Sequence, residues 1–168
     1  MKKSLCELLR DYFPRDSGVE DLYSTSTANC VFNSFLAYTD IMLNIGTMHA
    51  IRKTSSIPKT LKTLLLSLAV SDVGVSLLVQ PYYTSLLIKR LQLIVPTCST
   101  HKHFYLVSNL FCSASFLGVL AVSVDRFLAI HLHLRYQELV THKRVVAVVI
   151  SIWVLSAFSS VNALNSAR

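Results

Sequence analysis

The sequence predicts an all-α fold, a bundle of four transmembrane helices. Of its 168 residues, 52% are hydrophobic and only 15% are charged, whereas a soluble domain usually carries about 25% charged residues. Four segments reach the roughly 20 mainly apolar residues that a bilayer-crossing helix needs; they are residues 30–51, 64–88, 104–130 and 145–164. Strands are a poor alternative, because an open sheet edge in lipid leaves backbone groups without hydrogen bonds.

The first predicted element is a polar extracellular N-terminal tail over residues 1–27, followed by one helical domain over residues 28–168. The chain start is not a secretory signal, because its apolar stretch is short and interrupted by Glu7. We therefore expect the first transmembrane helix to act as its own insertion signal. A short basic loop over residues 52–58 then turns the chain back into the membrane.

The second helix contains Pro81, which is expected to remove one backbone hydrogen bond and to kink the helix. Tyr82 and Tyr83 follow it at the depth where aromatic side chains line the membrane interface. An outer loop over residues 89–103 leads to the third helix. An inner loop over residues 135–143 connects the third helix to the fourth.

The distribution of Lys and Arg near the span ends predicts an N-terminus outside the membrane. Only cations within about 20 residues of a span end influence orientation strongly. The expected inner side has Arg52, Lys53, Lys59, Lys62, Arg126, Arg135, Lys143 and Arg144. The expected outer side has the smaller set of Arg15, Lys89, Arg90, Lys102 and Arg168.

Acidic groups inside the predicted helices indicate a functional site. Asp72 lies in an apolar stretch, where a carboxylate costs several kcal/mol unless it faces the bundle interior and finds partners. This favours an ion or proton site over a hydrogen-bonded structural acid, and Ser115 would suit a hard cation such as sodium. Asp40 and Asn44 share one face of the first helix. We expect Asp40 to bond locally, with a face turned toward Asp72 as the alternative.

Composition and motifs exclude several other functions. The net charge of +7 is spread over loops without a basic stripe, so nucleic acid is not an expected partner. His101 and His103, like His131 and His133, are two apart and point to nearly opposite faces of a helix, so no transition-metal site is predicted. The sequence contains no catalytic constellation, so we expect neither an enzyme nor an organic cofactor.

The cysteines divide by their place in the predicted topology. Cys30 and Cys112 lie within spans, where cysteine usually packs as a small apolar residue. Cys98 lies in the outer loop, an oxidising location. Either Cys98 pairs with Cys6 in the tail, or its natural partner is missing from these residues.

Four motifs occur in the same order and at the same spacing as in a known family. Asn44 precedes Asp72 by 28 positions, and Asp125 precedes Trp153 by 28. The segments 67–72, 123–130 and 134–136 read Ser-Leu-Ala-Val-Ser-Asp, Ser-Val-Asp-Arg-Phe-Leu-Ala-Ile and Leu-Arg-Tyr. Over residues 30–164 the chain resembles the rhodopsin-like (class A) G-protein-coupled receptors. The resemblance implies four of that family's seven helices, in a truncated or partial chain.

The resemblance also implies roles for individual residues. Asp72 and Ser115 would bind sodium as an allosteric modulator, and Arg126 would pair with Asp125 at rest. After activation Arg126 would contact a heterotrimeric G protein, together with Leu134 in the inner loop. An unknown extracellular ligand would meet Ser108, Asn109 and Cys112, and structural roles would fall to Asn44, Ser67 and Trp153. Amine receptors carry Asp where this chain has Ser108, which disfavours an amine ligand.

The sequence departs from the family pattern at three places. Phe127 replaces the usual Tyr after the Asp-Arg pair, and His133 replaces a common Pro in the inner loop. His101 stands where the family has the Cys of its outer disulfide, while Cys98 lies one turn earlier. The inner-loop turn and the outer disulfide are therefore expected to differ from the family pattern.

Three functions are compatible with these patterns. The favoured one is a signalling receptor of the plasma membrane, multi-pass and surrounded by membrane lipid. The second is a non-signalling fragment that associates with full-length receptors, alters their trafficking and is itself retained in internal membranes. The third is a transporter or channel subunit that uses Asp40 and Asp72. The pair Asp125-Arg126, at a predicted cytosolic helix end, favours the first two.

Overall fold

The described chain is helical throughout, apart from short connections. The computed structural model describes residues 19–92, 94, 97–132 and 136–166. Helix α1 is Val19–Lys53, and α2 consists of Lys59–Gly74, a π-helical turn Val75–Val79 and Gln80–Leu91. Helix α3 is Cys98–Leu132, α4 is the single turn Tyr136–Leu139 and α5 is His142–Ser166. The four predicted long helices are confirmed as α1, α2, α3 and α5, so the all-α fold class is correct.

The helices extend beyond the predicted segments at both ends. Helix α1 begins at Val19, so residues 19–27, predicted as part of the tail, are helical. Helix α3 begins at Cys98 rather than at residue 104. An apolar run marks only the stretch of helix within the hydrocarbon layer. Backbone hydrogen bonding continues into polar residues at each end, which hydropathy does not detect.

Three helical stretches in the described ranges are long and apolar enough to cross a membrane: Lys59–Lys89, Cys98–Leu132 and His142–Asn165. Helix α1 does not reach the same apolarity, since it carries Asn29, Asn33, Asp40 and Asn44 within its central turns. Its crossing of the membrane stays a prediction.

The surface and the interior of the bundle are those of a membrane protein. Large apolar side chains face outward, with Phe116 72% exposed and Ile130 82% exposed. Such a surface suits lipid rather than water. The most deeply buried side chains are small hydroxyls, Ser71, Ser76, Ser156 and Ser160. Small and weakly polar residues between helices are typical of membrane bundles, because they allow close backbone approach.

Pro81 alters the hydrogen bonding of α2 immediately before it. The residues Val75–Val79 form a π-helical turn, and the Gln80 N–H donates to the carbonyl oxygen of Val75, five residues back. Proline lacks an N–H and its ring collides with the carbonyl four residues earlier, that of Leu77. The wider turn accommodates this ring. The predicted irregularity at Pro81 therefore takes the form of a π-helical turn, within which Ser76 is buried.

Helix α3 packs between α2 and α5, while α1 packs on α2. Gly118 of α3 approaches α2 closely, since a Cβ atom there would lie 3.2 Å from Leu68 Cδ1. Gly74 of α2 leaves no room for a Cβ atom, which would collide with the ring of Phe111. The Phe111 ring in turn meets Trp153 of α5 edge-on, with 6.0 Å between ring centroids. These contacts hold the three helices in register.

Replacing Gly74 with Ala is expected to destabilise the bundle by about 1–3 kcal/mol, because Phe111 is held by Trp153 and cannot yield freely. The matched control is Gly46→Ala, because nothing lies within 4 Å of a Cβ atom at Gly46. There alanine should be neutral or stabilising, as the better helix former by about 1 kcal/mol. Thermal unfolding of both variants in detergent measures the difference. Equal melting temperatures would show that Phe111 does move.

Candidate functional site

The structure brings Asp72 and Ser115 together in the middle of the bundle. Asp72 projects from α2 and Ser115 from α3, and the Ser115 hydroxyl donates a hydrogen bond of 2.5 Å to Asp72 Oδ1. Both side chains are half-buried. These are the two residues that the sequence predicted as sodium ligands.

Asp40 of α1 joins the same group of residues through Ser76. The Asn44 amide donates to Asp40 Oδ1 at 2.8 Å, which is the local bond expected from their spacing. The hydroxyl of Ser76 also lies within hydrogen-bonding distance of Asp40 Oδ2 and 3.1 Å from the main-chain oxygen of Asp72. The expectation that Asp40 bonds only locally is therefore incomplete. Ser76 was missed, although it lies four residues after Asp72 and shares its helix face.

We refer to Asp40, Asn44, Asp72, Ser76 and Ser115 as the polar seam. Hydroxyl and amide donors reach both carboxylates, which lowers the cost of placing them in the membrane. In the described part of the chain neither carboxylate pairs with Lys or Arg. The seam is thus rich in oxygen atoms and lacks a protein cation. Hard cations prefer such oxygen ligands, and no group of three His, Cys, Asp or Glu residues suited to a transition metal occurs in the described ranges.

Near the C-terminal end of α3, Asp125 is held by two partners, Arg126 and Tyr136. Its side chain is almost fully buried, and Arg126 donates to its Oδ2 from Nη2 at 2.5 Å and from Nε at 3.0 Å. The hydroxyl of Tyr136 donates to Oδ1 at 2.7 Å, and Thr60 of α2 lies close to Tyr136. The Arg126 side chain is 41% exposed, so part of its guanidinium group remains accessible. Leu134, predicted to contact the G protein, lies outside the described residues.

Tyr136 and Thr60 had no role in the sequence-based site. Burial and the hydrogen bond to Asp125 raise the pKa of Tyr136, despite the opposing effects of Thr60 and Arg126. A raised pKa keeps the phenol protonated at neutral pH, so Tyr136 acts as a donor to the carboxylate. Both oxygens of Asp125 are therefore occupied, one by Arg126 and one by Tyr136.

Replacing Tyr136 with Phe should destabilise the chain by about 1 kcal/mol, since it removes a donor from a buried carboxylate. That loss corresponds to a fall of about 2–4 °C in melting temperature for a chain of this size. Tyr105→Phe is the control, because Tyr105 is 41% exposed and its hydroxyl makes no hydrogen bond within the described ranges. Thermal unfolding in detergent compares the two. An equal effect of both variants would rule out a stabilising bond from Tyr136 to Asp125.

Trp153, which the resemblance predicts to be structural, connects α5 to α2. Its indole Nε1 donates to the hydroxyl of Ser67 at 3.2 Å. Asn44, the third residue predicted to be structural, bonds to Asp40 within the polar seam.

The three residues predicted to line the ligand pocket lie within little more than one turn of α3. Ser108 donates to the carbonyl oxygen of Tyr105 at 3.2 Å, and Asn109 Oδ1 accepts from Ser113 at 3.4 Å. Cys112 lines a cavity of about 550 Å³ between α3 and α5, together with Ser156. Ser108 and Asn109 do not line that cavity.

The cysteines differ in their bonding. Cys30 and Cys112 carry free thiols, whereas Cys98 is disulfide-bonded. Cys6, its partner in one of the two alternatives, lies outside the described residues. A bonded Cys98 agrees with an outer, oxidising location.

A helical bundle with an outward apolar surface, buried acids and an Asp-Arg pair at a helix end defines a multi-pass membrane protein of the receptor type. The sequence model described as 7 transmembrane receptor (rhodopsin family) matches residues 43–166, and the chain belongs to this family. The family consists of receptors rather than enzymes. The expected resemblance, the absence of enzymatic function and the helical membrane architecture are confirmed.

Two curated relatives show how much of such a receptor these residues represent. The chain is 33% identical over 130 residues to adenosine receptor A2b of Gallus gallus, covering 77% of this chain and 37% of that receptor. It is 35% identical over 99 residues to tyramine receptor Ser-2 of Caenorhabditis elegans, covering 58% of this chain and 21% of that receptor. The chain therefore spans only about a third, or less, of the length of these relatives.

Proposed function

We propose that these residues form the N-terminal four-helix portion of a receptor of the plasma membrane that couples ligand binding to a heterotrimeric G protein. The observation that carries this proposal is the state of the Asp125–Arg126 pair. Asp125 is buried and held by two donors, while Arg126 is 41% exposed at the end of α3. A guanidinium in this position can exchange its intramolecular partner for a carbonyl or carboxylate of a docking protein. By the family resemblance, Leu134 would supply an apolar contact to the same protein.

We further propose that the polar seam binds one sodium ion that modulates the receptor. Asp72 and Ser115 already lie within hydrogen-bonding distance of each other, so both oxygens can turn toward one ion. Ser76 adds a hydroxyl on the same side of α2. A monovalent cation would neutralise charge that no Lys or Arg of the described chain balances.

The ligand is expected to bind near the outer ends of α2 and α3, with Ser108, Asn109 and Cys112 as contacts. By their names, the two relatives are receptors for adenosine and for tyramine. Ser108 supplies a hydroxyl and no charge, which supports a neutral ligand over an amine. An ammonium group in lipid surroundings needs a carboxylate partner.

A second function, association with full-length receptors without signalling, is favoured by one specific observation. The hydroxyl of Ser156 is fully buried on α5, yet it has no hydrogen-bond partner in the described structure. Ser156 also lines the open cavity of about 550 Å³ between α3 and α5, so a polar group that enters this cavity from another helix would satisfy the hydroxyl. In this role the chain would bind a complementary receptor and be retained with it in internal membranes.

The orientation of the chain tests the G-protein proposal directly, because Arg126 must face the cytosol. A cysteine placed at Ser17 should react with an impermeant maleimide in intact cells, and one placed at Ser56, between α1 and α2, should react only after permeabilisation. Both cysteines are introduced into a Cys30→Ala, Cys112→Ala background, which removes the free thiols of the described chain. The opposite labelling pattern would place Arg126 outside the cell and exclude a G-protein contact.

A further inference from the structure

An open groove runs between α3 and α5 at the Asp125 end of the bundle. Its volume is about 470 Å³, and its walls are mostly aliphatic. Leu120, Ala121 and Leu128 form the α3 wall, while Val148, Ile152 and Leu155 form the α5 wall. Because Leu155 also lines the 550 Å³ cavity nearer the middle of the bundle, the apolar surface is continuous between the two. We refer to the first of these spaces as the α3–α5 groove.

The mouth of the α3–α5 groove is positively charged. Arg144 lines it and is exposed, and one of its guanidinium N–H groups donates to the carbonyl oxygen of Leu139 at 2.7 Å. Lys143 precedes it and is also exposed. Neither cation forms an ion pair with an acid in the described ranges. The one acid lining the groove, Asp125, is already held by Arg126 and Tyr136, so the free charge at the mouth is positive.

We propose that the α3–α5 groove binds one anionic phospholipid, with an acyl chain along the groove and the phosphate on Arg144. Lipid hydrocarbon surrounds these helices, so an acyl chain can enter the groove sideways without crossing water. The remaining N–H groups of Arg144 can donate two parallel hydrogen bonds to a phosphate, and Lys143 adds a second positive charge. The proposal rests on the membrane placement of the helices and is independent of signalling.

A transmembrane helix from a second copy of the chain fits this groove less well. The outward-facing helix surfaces of this chain are apolar, as at Phe116 and Ile130. Such a face would cover Arg144 without supplying a negative charge. Burying an unpaired cation in the membrane is costly. An anionic headgroup supplies that charge and leaves Arg144 at the interface.

The test is native mass spectrometry of the purified 168-residue chain, titrated in detergent with phosphatidylserine or phosphatidylcholine of identical acyl chains. The expected result is one retained phosphatidylserine and much weaker retention of phosphatidylcholine. In the double variant Lys143→Gln, Arg144→Gln, phosphatidylserine affinity should fall by more than about tenfold, since each basic residue contributes roughly fivefold near an anionic surface. The matched control Arg52→Gln, Lys53→Gln removes two cations at the same membrane face from α1. It should retain lipid like the wild-type chain.

A second pair of variants tests the groove itself. Ala121→Phe fills the groove and should abolish retention of both lipids, whereas Ala147→Phe, at an exposed position of α5 outside the groove, should not. Circular dichroism verifies folding, and Val148→Phe from the opposite wall replaces Ala121→Phe if the latter does not fold. Equal retention of both lipids by the wild-type chain would overturn the proposal. Unchanged phosphatidylserine retention in the Lys143→Gln, Arg144→Gln variant would also overturn it. A lipid-free dimer of the wild-type chain that Ala121→Phe dissociates would overturn it as well, because the groove would then bind a second copy of the chain.

Discussion

The 168-residue chain expressed alone is expected to give no G-protein activation in a nucleotide-exchange assay on isolated membranes. It contains four long helices of a seven-transmembrane family. Activation in such bundles moves one group of helices relative to another, and a ligand can only shift an equilibrium between two arrangements that both exist. With α1, α2, α3 and α5 alone, Arg126 can bond to Asp125 but has no partner on a later helix from which to be released. A ligand pocket that lies between the first four helices and the later ones would likewise be incomplete in this chain.

Adding the later helices of a relative should produce activity. Co-expression with the C-terminal part of the Gallus gallus relative, beyond the matched region, is expected to produce exchange activity above that of either part alone. The same complementation with Arg126→Gln should lose most of it, while Arg52→Gln, at the end of α1 on the same membrane face, should not. Robust activation by the unaccompanied chain would contradict the four-helix argument. Full activity of the Arg126→Gln variant would remove the proposed role of that residue.

Sodium chloride is expected to stabilise the purified chain, and Asp72→Asn should abolish that stabilisation. An ion that binds only the folded chain raises the free energy of unfolding. At an ion concentration of 10 to 100 times the dissociation constant, the increase is about 1–3 kcal/mol. Asparagine keeps a hydrogen-bonding oxygen for Ser115 but removes the charge that attracts the ion. Thermal unfolding in sodium chloride, compared with choline chloride at equal ionic strength, isolates the specific effect.

The remaining members of the seam should show a graded response. Ser115→Ala and Asp40→Asn are expected to reduce the sodium effect, because each removes an oxygen or a charge close to Asp72. Ser123→Ala is the control, since this hydroxyl donates only to the carbonyl oxygen of Val119 on its own helix. Equal unfolding curves in sodium and choline would exclude the ion site. A full sodium effect in Asp72→Asn would place the ion elsewhere.

The polar seam also changes the expectation that these helices expose unsatisfied polar groups to lipid. From the sequence, Asp40, Asn44, Asp72 and Ser115 appear as separate polar groups that lipid cannot satisfy. In the structure Ser76 links α1 to α2, and Ser115 links α2 to α3. Helices α1, α2 and α3 therefore satisfy most of this polarity themselves. The buried groups without a described partner are instead the Gln80 side-chain oxygen and the Ser156 hydroxyl.

The sequence by itself determined the fold class, the four long helices and the family. These follow from quantities that are local along the chain: the apolar length that matches the bilayer, and motifs at fixed spacing such as Asp125-Arg126 and Asp72. The resemblance also assigns Trp153 a structural role, and the structure shows the bond from its indole to Ser67. Local patterns predict these features because every segment that crosses the hydrocarbon layer must be helical and mainly apolar.

Only the tertiary structure decided how the helices meet. The bridge from Asp40 through Ser76 to Asp72, the bond from Tyr136 to Asp125 and the α3–α5 groove each join residues of different helices. Ser76 is buried within the π-helical turn that precedes Pro81. The hydropathy of the sequence does not predict this turn. Which faces of two helices meet depends on close packing of side chains such as Phe111 against Gly74. That fit is a property of the assembled bundle, so it cannot be derived from the apolar pattern of any one helix.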